Sequence, residues 1–136
     1  LWQHLINYRC GTGHSVSFVG NVHEAPSLNG RNTTLMRPGM IVTDEPGVYE
    51  TDLVGIRIEN ELVCVHKADN QYGTFLGFEP IMFVPIATSP IVPGVLTKDE
   101  LDWLNNYHRQ VFEKLAPRLN DEEREWLAKK CAAIGC

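Results

Sequence analysis

The chain has 136 residues, of which 43% are hydrophobic and 21% are charged, as in one ordinary folded domain. This composition excludes a disordered chain, a collagen-like repeat and a coiled coil. Twelve basic and seventeen acidic residues leave a formal net charge of −5, so we expect no nucleic-acid partner. No apolar run approaches the roughly eighteen residues of a membrane span, so we expect no membrane partner.

The first two-thirds of the sequence is typical of short strands joined by turns. Residues 1–9 carry leucine and isoleucine at helical spacing and are predicted to be the end of a helix. Glycines and a proline through residues 10–30 favour turns around one short strand at 16–19. β-favouring residues between later turn signals predict further strands at 40–43, 56–59, 61–65, 74–78 and 81–84.

The pattern becomes helical after residue 94. Thr97 and Glu100 match a capping box, and apolar residues then recur on one helical face up to residue 115, after which Pro117 is predicted to end the helix. A second helix is predicted to begin after Asn120, where three acids favour a helix N-terminus, and to run to about residue 132 with Trp126 as an apolar contact. The fold class is therefore α+β. We expect a β-rich portion over residues 1–94 and a helical extension over residues 95–136.

Three residues carry side chains suited to metal binding. His14 lies in a glycine-flanked turn, Glu45 precedes Pro-Gly, and Glu59 lies in the predicted strand 56–59. Each alone is more often a structural residue, such as a hydrogen-bonded loop histidine or a surface acid. Together they form a donor set that suits Mn²⁺, Zn²⁺, Co²⁺ or Fe²⁺ and that could bridge two ions. One histidine and two glutamates are too few to hold such a pair well, and spacing nominates no other acid.

Two further residues could support such a centre. Arg57 lies two residues before Glu59, so on a strand both would project from one face and the guanidinium could orient a ligand. His23 could hydrogen-bond a substrate carbonyl or a tetrahedral intermediate.

Four blocks of sequence resemble the Xaa-Pro aminopeptidases, or aminopeptidase P, which belong to the pita-bread metallopeptidases with prolidase, creatinase and methionine aminopeptidase. The blocks match in order and spacing, and later segments resemble the C-terminal extension of the long form of aminopeptidase P. The resemblance implies the C-terminal half of a pita-bread fold, a curved and mostly antiparallel sheet, followed by two helices. The blocks are Gly-Thr-Gly-His at 11–14, Asn-Val-His-Glu at 21–24, Pro-Gly-Met-Ile-Val-Thr-Asp-Glu-Pro-Gly at 38–47 and Gly-Ile-Arg-Ile-Glu-Asn at 55–60.

The resemblance also implies a role for each candidate residue. His14, Glu45 and Glu59 would be metal ligands, with Glu45 also shuttling protons and Glu59 bridging two divalent ions. The expected cofactor is a pair of Mn²⁺ ions, with Zn²⁺ or Co²⁺ as alternatives. His23 would bind substrate and stabilise the intermediate, and Arg57 would orient a ligand. The implied reaction releases the N-terminal residue from a peptide with proline in second position, in a cytoplasmic homodimer.

Two departures from the family pattern limit what is expected of this chain alone. The other two ligands in the family are aspartates upstream of the first block, so we expect a C-terminal fragment with three of five ligands, inactive alone. Cys10 stands where relatives usually carry a histidine near the substrate, and it is either a substrate-binding residue or a small packing residue. The alternatives are a prolidase-like dipeptidase or, for the isolated chain, an inactive remnant or interaction module.

Three side chains of the first predicted helix have two possible positions. Trp103, Tyr107 and His108 would mark either a dimer face, as this region does in family relatives, or core contacts, which we favour.

The four cysteines form no Cys-x-x-Cys pair, so free thiols are expected rather than a disulfide framework.

Overall fold

The computed structural model describes residues 5–135. The chain divides into two compact units, Leu1–Met82 and Phe83–Cys136. Described strands all lie in the first unit and described helices in the second, so the predicted α+β class is confirmed. The strands are β1 (Gly13–Ser15), β2 (Glu24–Leu28), β3 (Ile41–Asp44), β4 (Gly47–Glu50), β5 (Val54–Arg57), β6 (Asn60–Asn70) and β7 (Gly73–Pro80).

An antiparallel sheet in the order β2-β1-β3-β6-β7 forms most of the first unit. β3 lies at its centre, where Val42 is fully buried and Cys64 on β6 is 1% exposed. β1 joins β3 by pairing Ser15 with Val42. β4 and β5 form a separate hairpin in which Gly47 lies opposite Arg57. The predicted antiparallel arrangement of short strands is therefore confirmed.

Several predicted element positions are wrong. The first strand lies at Gly13–Ser15 and not at 16–19, because its position is set by pairing with β2 and β3. Residues 81–84 form no strand, because the N–H and C=O groups of Val84 bond to the Tyr107 hydroxyl instead of a neighbouring strand. Residues 5–9 are not helical, and the rest of the predicted N-terminal helix lies outside the described residues.

Two capped helices form the second unit, α1 (Lys98–Leu115) and α2 (Asp121–Lys130). Both capping boxes are present, Thr97 with Glu100 and Asn120 with Glu123, so the predicted helix starts are confirmed. A short 3₁₀ turn over Ala116–Arg118 follows α1 and contains the proline predicted to end it. Within the described part of the chain, neither helix is long and apolar enough to cross a membrane.

The core of the second unit lies between the two helices and the segment that precedes them. Tyr107, Val111 and Leu127 are almost fully buried. Tyr107 and His108 are thus interior residues of the second unit, whereas Trp103 is 60% exposed and stacks on the Tyr107 ring. Trp126, which was expected to be an apolar contact of α2, is 57% exposed.

His108 is a fully buried titratable group in this core. Its Nε2 atom accepts a hydrogen bond from the backbone N–H of Ile86 at 3.1 Å. The Tyr107 ring, 6.1 Å away, is the neighbouring titratable side chain on α1. Because burial removes the ring from water, the pKa of His108 is lowered from its ordinary value. The neutral ring is therefore the form that the fold accommodates.

We expect the free energy of unfolding of the second unit to fall as pH drops below about 6.5, the unfolded pKa of histidine. Below this pH the histidine of the unfolded state binds a proton that native His108 does not, so the slope of the free energy of unfolding against pH reaches at most about 1.4 kcal/mol per pH unit. Above this pH the ring is neutral in both states, and the titration of His108 no longer lowers the free energy of unfolding. Urea unfolding between pH 7.5 and 5.5 measures it, with His108→Gln as the control because glutamine keeps an acceptor but does not titrate. Equal slopes in the two proteins would contradict the prediction.

Candidate metal centre

His14 and Glu45 come together because β1 and β3 are neighbours in the sheet. His14 lies on β1, and Glu45 directly follows the end of β3. The N–H of Glu45 donates to the carbonyl of Thr12 at 2.6 Å, which ties the end of β3 to the start of β1. The side chains meet with His14 Nε2 2.9 Å from Glu45 Oε1, and they are 15% and 16% exposed. This places an imidazole and a carboxylate at one partly buried point.

The other partners of the two side chains limit the arrangement at this contact. His14 Nδ1 lies 2.9 Å from the carbonyl of Ser15, which only accepts, so Nδ1 donates there and Nε2 is the nitrogen that faces Glu45. Glu45 Oε1 also accepts a hydrogen bond from the Thr43 hydroxyl at 3.0 Å. Nε2 and Oε1 are therefore placed to share either a proton or a cation.

This donor pair fits a divalent metal ion. Metal–nitrogen and metal–oxygen bonds of about 2.0–2.2 Å place neighbouring ligands of one ion about 3 Å apart, close to the distance between His14 Nε2 and Glu45 Oε1. The Nδ1–H bond to a backbone carbonyl is also the arrangement that usually orients a metal-binding histidine. The two residues can thus hold part of a metal site, for which further ligands are needed.

Arg57 binds the other side of the Glu45 carboxylate. Its Nη1 atom donates to Glu45 Oε2 and, at 2.9 Å, to the Glu45 backbone carbonyl. Its Nε atom donates to the Tyr49 hydroxyl at 2.6 Å, and its guanidinium lies 5.4 Å from the Tyr49 ring centre. The hydrogen bond with Tyr49 is the main cause that raises the pKa of Arg57. Arg57 is therefore a fixed cation that orients the Glu45 carboxylate.

Tyr49 was not identified from the sequence. Its ring lies across the β4–β5 hairpin, where Cβ atoms at Gly47 and Gly55 would come within 2.8 Å and 3.1 Å of it. The two glycines make room for the ring that supports Arg57. These two glycines are the sequence signal for the position of the Tyr49 ring, but the signal can be recognised only once the pairing of β4 with β5 is known.

His23 lies beside His14, as its expected role in binding substrate requires. The two rings meet edge to face with their centres 4.2 Å apart. Both line a cleft of about 390 Å³ together with Gly11, Glu24 and Ser27. His23 itself is exposed, so its ring is accessible from solvent at the edge of the metal-binding pair.

Glu59 and Cys10 are placed differently. Glu59 is exposed in the two-residue connection between β5 and β6, so its predicted strand position is wrong. Across residues 5–135, no group of three or more His, Cys, Asp or Glu side chains is gathered to hold a metal ion. Cys10 Sγ lies 3.8 Å from the carbonyl of Gly47 and lines another cleft with Tyr49. The structure therefore joins His14, His23, Glu45 and Arg57 by direct contacts, but not Glu59.

Comparisons with known proteins show the family of the chain. Residues 1–66 match the model of metallopeptidase family M24, and residues 74–134 match that of the C-terminal region of the same family. The chain is 41% identical to a probable Xaa-Pro aminopeptidase P of Coprinopsis cinerea over 143 aligned positions, and 45% identical over 135 to aminopeptidase P2 of Arabidopsis thaliana. These alignments cover 98% and 93% of this chain but 23% and 19% of the relatives.

A solved structure shows the same fold. The crystal structure of X-prolyl aminopeptidase from Caenorhabditis elegans, described as a cytosolic enzyme with a dinuclear active site, matches with a TM-score of 0.84 and 36% identity. The match covers 98% of this chain and 23% of that one, so this chain spans about a quarter of the nematode enzyme. The predicted fold, part of a pita-bread fold followed by two helices, is thereby confirmed. The chain belongs to metallopeptidase family M24 and is similar to the Xaa-Pro aminopeptidases within it.

Proposed function

We propose that this chain supplies part of the metal centre of an Xaa-Pro aminopeptidase, which releases the N-terminal residue from peptides with proline in second position. The observation that carries the proposal is the 2.9 Å contact between His14 Nε2 and Glu45 Oε1, in which the other atoms of both side chains are held by neighbouring groups. The alignments to aminopeptidase P over nearly the whole chain support this substrate class. They do not favour the alternative of a prolidase-like dipeptidase.

The residues around the pair have distinct tasks in this proposal. A divalent metal ion bound there would lower the pKa of a water molecule and so supply a nucleophile at neutral pH. Arg57 and Thr43 hold the Glu45 carboxylate at fixed angles, which leaves its oxygens available as ligands and as proton acceptors. His23 lies at the mouth of the cleft, where an imidazole N–H can donate to the carbonyl of a bound peptide.

Several parts of the proposal rest on the resemblance. Glu59 is proposed to be the ligand that bridges two ions, which requires it to meet groups from outside this chain. Mn²⁺ is the metal that the resemblance implies, and the nitrogen and oxygen donors also suit the alternatives Zn²⁺ and Co²⁺. Cys10 is proposed to line the substrate site. A cytoplasmic homodimer, with the catalytic portion over residues 1–94 and the helical extension over 95–136, remains part of the same proposal.

A chimera tests the proposed function. This chain replaces the matching segment of the nematode enzyme, and hydrolysis of an Xaa-Pro-Xaa tripeptide is measured with Mn²⁺. We expect the chimera to release the first residue in a reaction that a chelator stops, and the isolated chain to be inactive. A folded but inactive chimera would contradict the proposal, as would equal activity of the isolated chain. Faster cleavage of an Xaa-Pro dipeptide than of the tripeptide would favour the prolidase alternative.

A further inference from the structure

Thr43 contacts both His14 and Glu45, the two residues of the candidate metal site. It lies on β3 and is 3% exposed. Its hydroxyl oxygen accepts a hydrogen bond from the backbone N–H of His14 at 3.0 Å. The same hydroxyl donates to Glu45 Oε1, also at 3.0 Å. One buried oxygen therefore contacts both strands of the site.

The direction of these bonds is fixed by their partners. A backbone N–H only donates, so the Thr43 oxygen accepts from His14. The single hydroxyl proton is then free to point at the carboxylate, which accepts it. Because the site is partly buried, a hydrogen bond to the charged carboxylate is stronger than one between neutral groups. This arrangement selects one orientation of the Glu45 side chain, with Oε1 towards His14 Nε2.

On the side that faces β3, β1 gives little other support to His14, whereas on its other side β2 pairs Ser27 with His14. β1 is three residues long, and its register with β3 is a single pair, Ser15 with Val42. The hydrogen bond from the His14 N–H to the Thr43 hydroxyl thus takes the place of a backbone hydrogen bond between β1 and β3. A change at Thr43 would act on the backbone of one ligand and the side chain of the other at once.

We propose that Thr43 is a positioning residue of the metal centre, whose hydroxyl sets the Glu45 carboxylate against the His14 imidazole. The inference rests on the proposed function for its metal-binding part, but the orientation of Glu45 is measurable without metal. Loss of a group that orients a metal ligand typically weakens metal binding 10–100-fold, which sets the size of the expected effect.

The test uses Thr43→Val, which keeps the shape and removes the hydroxyl, and Thr43→Ser, which keeps the hydroxyl. Thr74→Val is the matched control, because Thr74 donates to Asp69 at 2.7 Å in an equivalent bond within the β6–β7 hairpin. Side-chain couplings of Glu45 measured by NMR report its rotamer. Mn²⁺ titration of the same samples, followed by broadening of the His14 and Glu45 signals, reports metal affinity.

We expect one Glu45 rotamer in the wild-type, Thr43→Ser and Thr74→Val chains, and an averaged rotamer in Thr43→Val. Mn²⁺ affinity should fall about tenfold or more in Thr43→Val alone. An unchanged Glu45 rotamer in Thr43→Val would overturn the inference. If Thr43→Val does not fold, an averaged rotamer in the folded Thr43→Ser chain would overturn it, and one wild-type rotamer there would support it. A changed rotamer in Thr43→Val with no Mn²⁺ broadening in the wild type would leave Thr43 a positioning residue and refute the metal function.

Discussion

Gly13→Ala is expected to destabilise the sheet and to separate His14 from Glu45. A Cβ atom at Gly13 would lie 1.8 Å from the carbonyl oxygen of Thr43 and 2.7 Å from its carbon. These are backbone atoms of the neighbouring strand, so no side-chain rotation relieves the overlap and the strands must move apart. Overpacking of this kind costs typically about 1–3 kcal/mol, and a backbone overlap falls at the upper end or beyond. Because β1 carries His14, its displacement should also reduce Mn²⁺ binding.

Gly11→Ala is the matched control for this prediction. Gly11 lies two residues away, and a Cβ atom there would meet nothing within 4 Å. This change should leave stability within about 1 kcal/mol of the wild type, because it mainly reduces the freedom of the unfolded chain. Urea unfolding and Mn²⁺ titration of both variants provide the comparison. If the two variants were equally stable, β1 and β3 would not approach as closely as described.

Glu45→Gln is expected to abolish metal binding without unfolding the chain. An amide NH₂ in place of Oε1 is not a metal ligand, and it can donate directly to His14 Nε2. The ion pair with Arg57 is lost, but Arg57 is partly exposed and such pairs are worth about 0–1 kcal/mol. Since losing a group that only orients a ligand costs 10–100-fold, losing the ligand itself should lower Mn²⁺ affinity by at least about 100-fold.

Isothermal titration with Mn²⁺ and urea unfolding test this expectation together. Glu50→Gln is the control, because Glu50 is an exposed acid on the same hairpin as Tyr49. Its metal affinity should equal that of the wild type. Glu45→Gln with wild-type Mn²⁺ affinity would show that any metal bound by the chain is held elsewhere.

The helices were predictable because their signals are local. Thr97 with Glu100 and Asn120 with Glu123 are read from residues three positions apart, and both helices begin where these pairs indicate. Strand positions depend instead on distant partners. The alternation at residues 56–59 resembles a strand, but β5 ends at Arg57 because its hairpin pairing ends opposite Gly47. Glu59 therefore lies in a connection, which no local pattern revealed.

The candidate site was predictable in its residues but not in its contacts. His14 and Glu45 stand in recognisable motifs, yet their meeting depends on β1 lying next to β3. Thr43 looks like an ordinary β-branched strand residue in the sequence. Its role comes from the backbone of His14, 29 positions away in the chain. Supporting residues of this kind are hidden from sequence patterns, because they act across pairings that only the fold defines.

Binding of a divalent cation by His14 and Glu45 is the central part of the proposed function. Anomalous diffraction from Mn²⁺-containing crystals of the chimera with the nematode enzyme measures this directly. We expect a manganese peak within about 2.0–2.3 Å of both His14 Nε2 and a Glu45 carboxylate oxygen. Manganese bound elsewhere, with a proton alone joining the two side chains, would contradict this expectation.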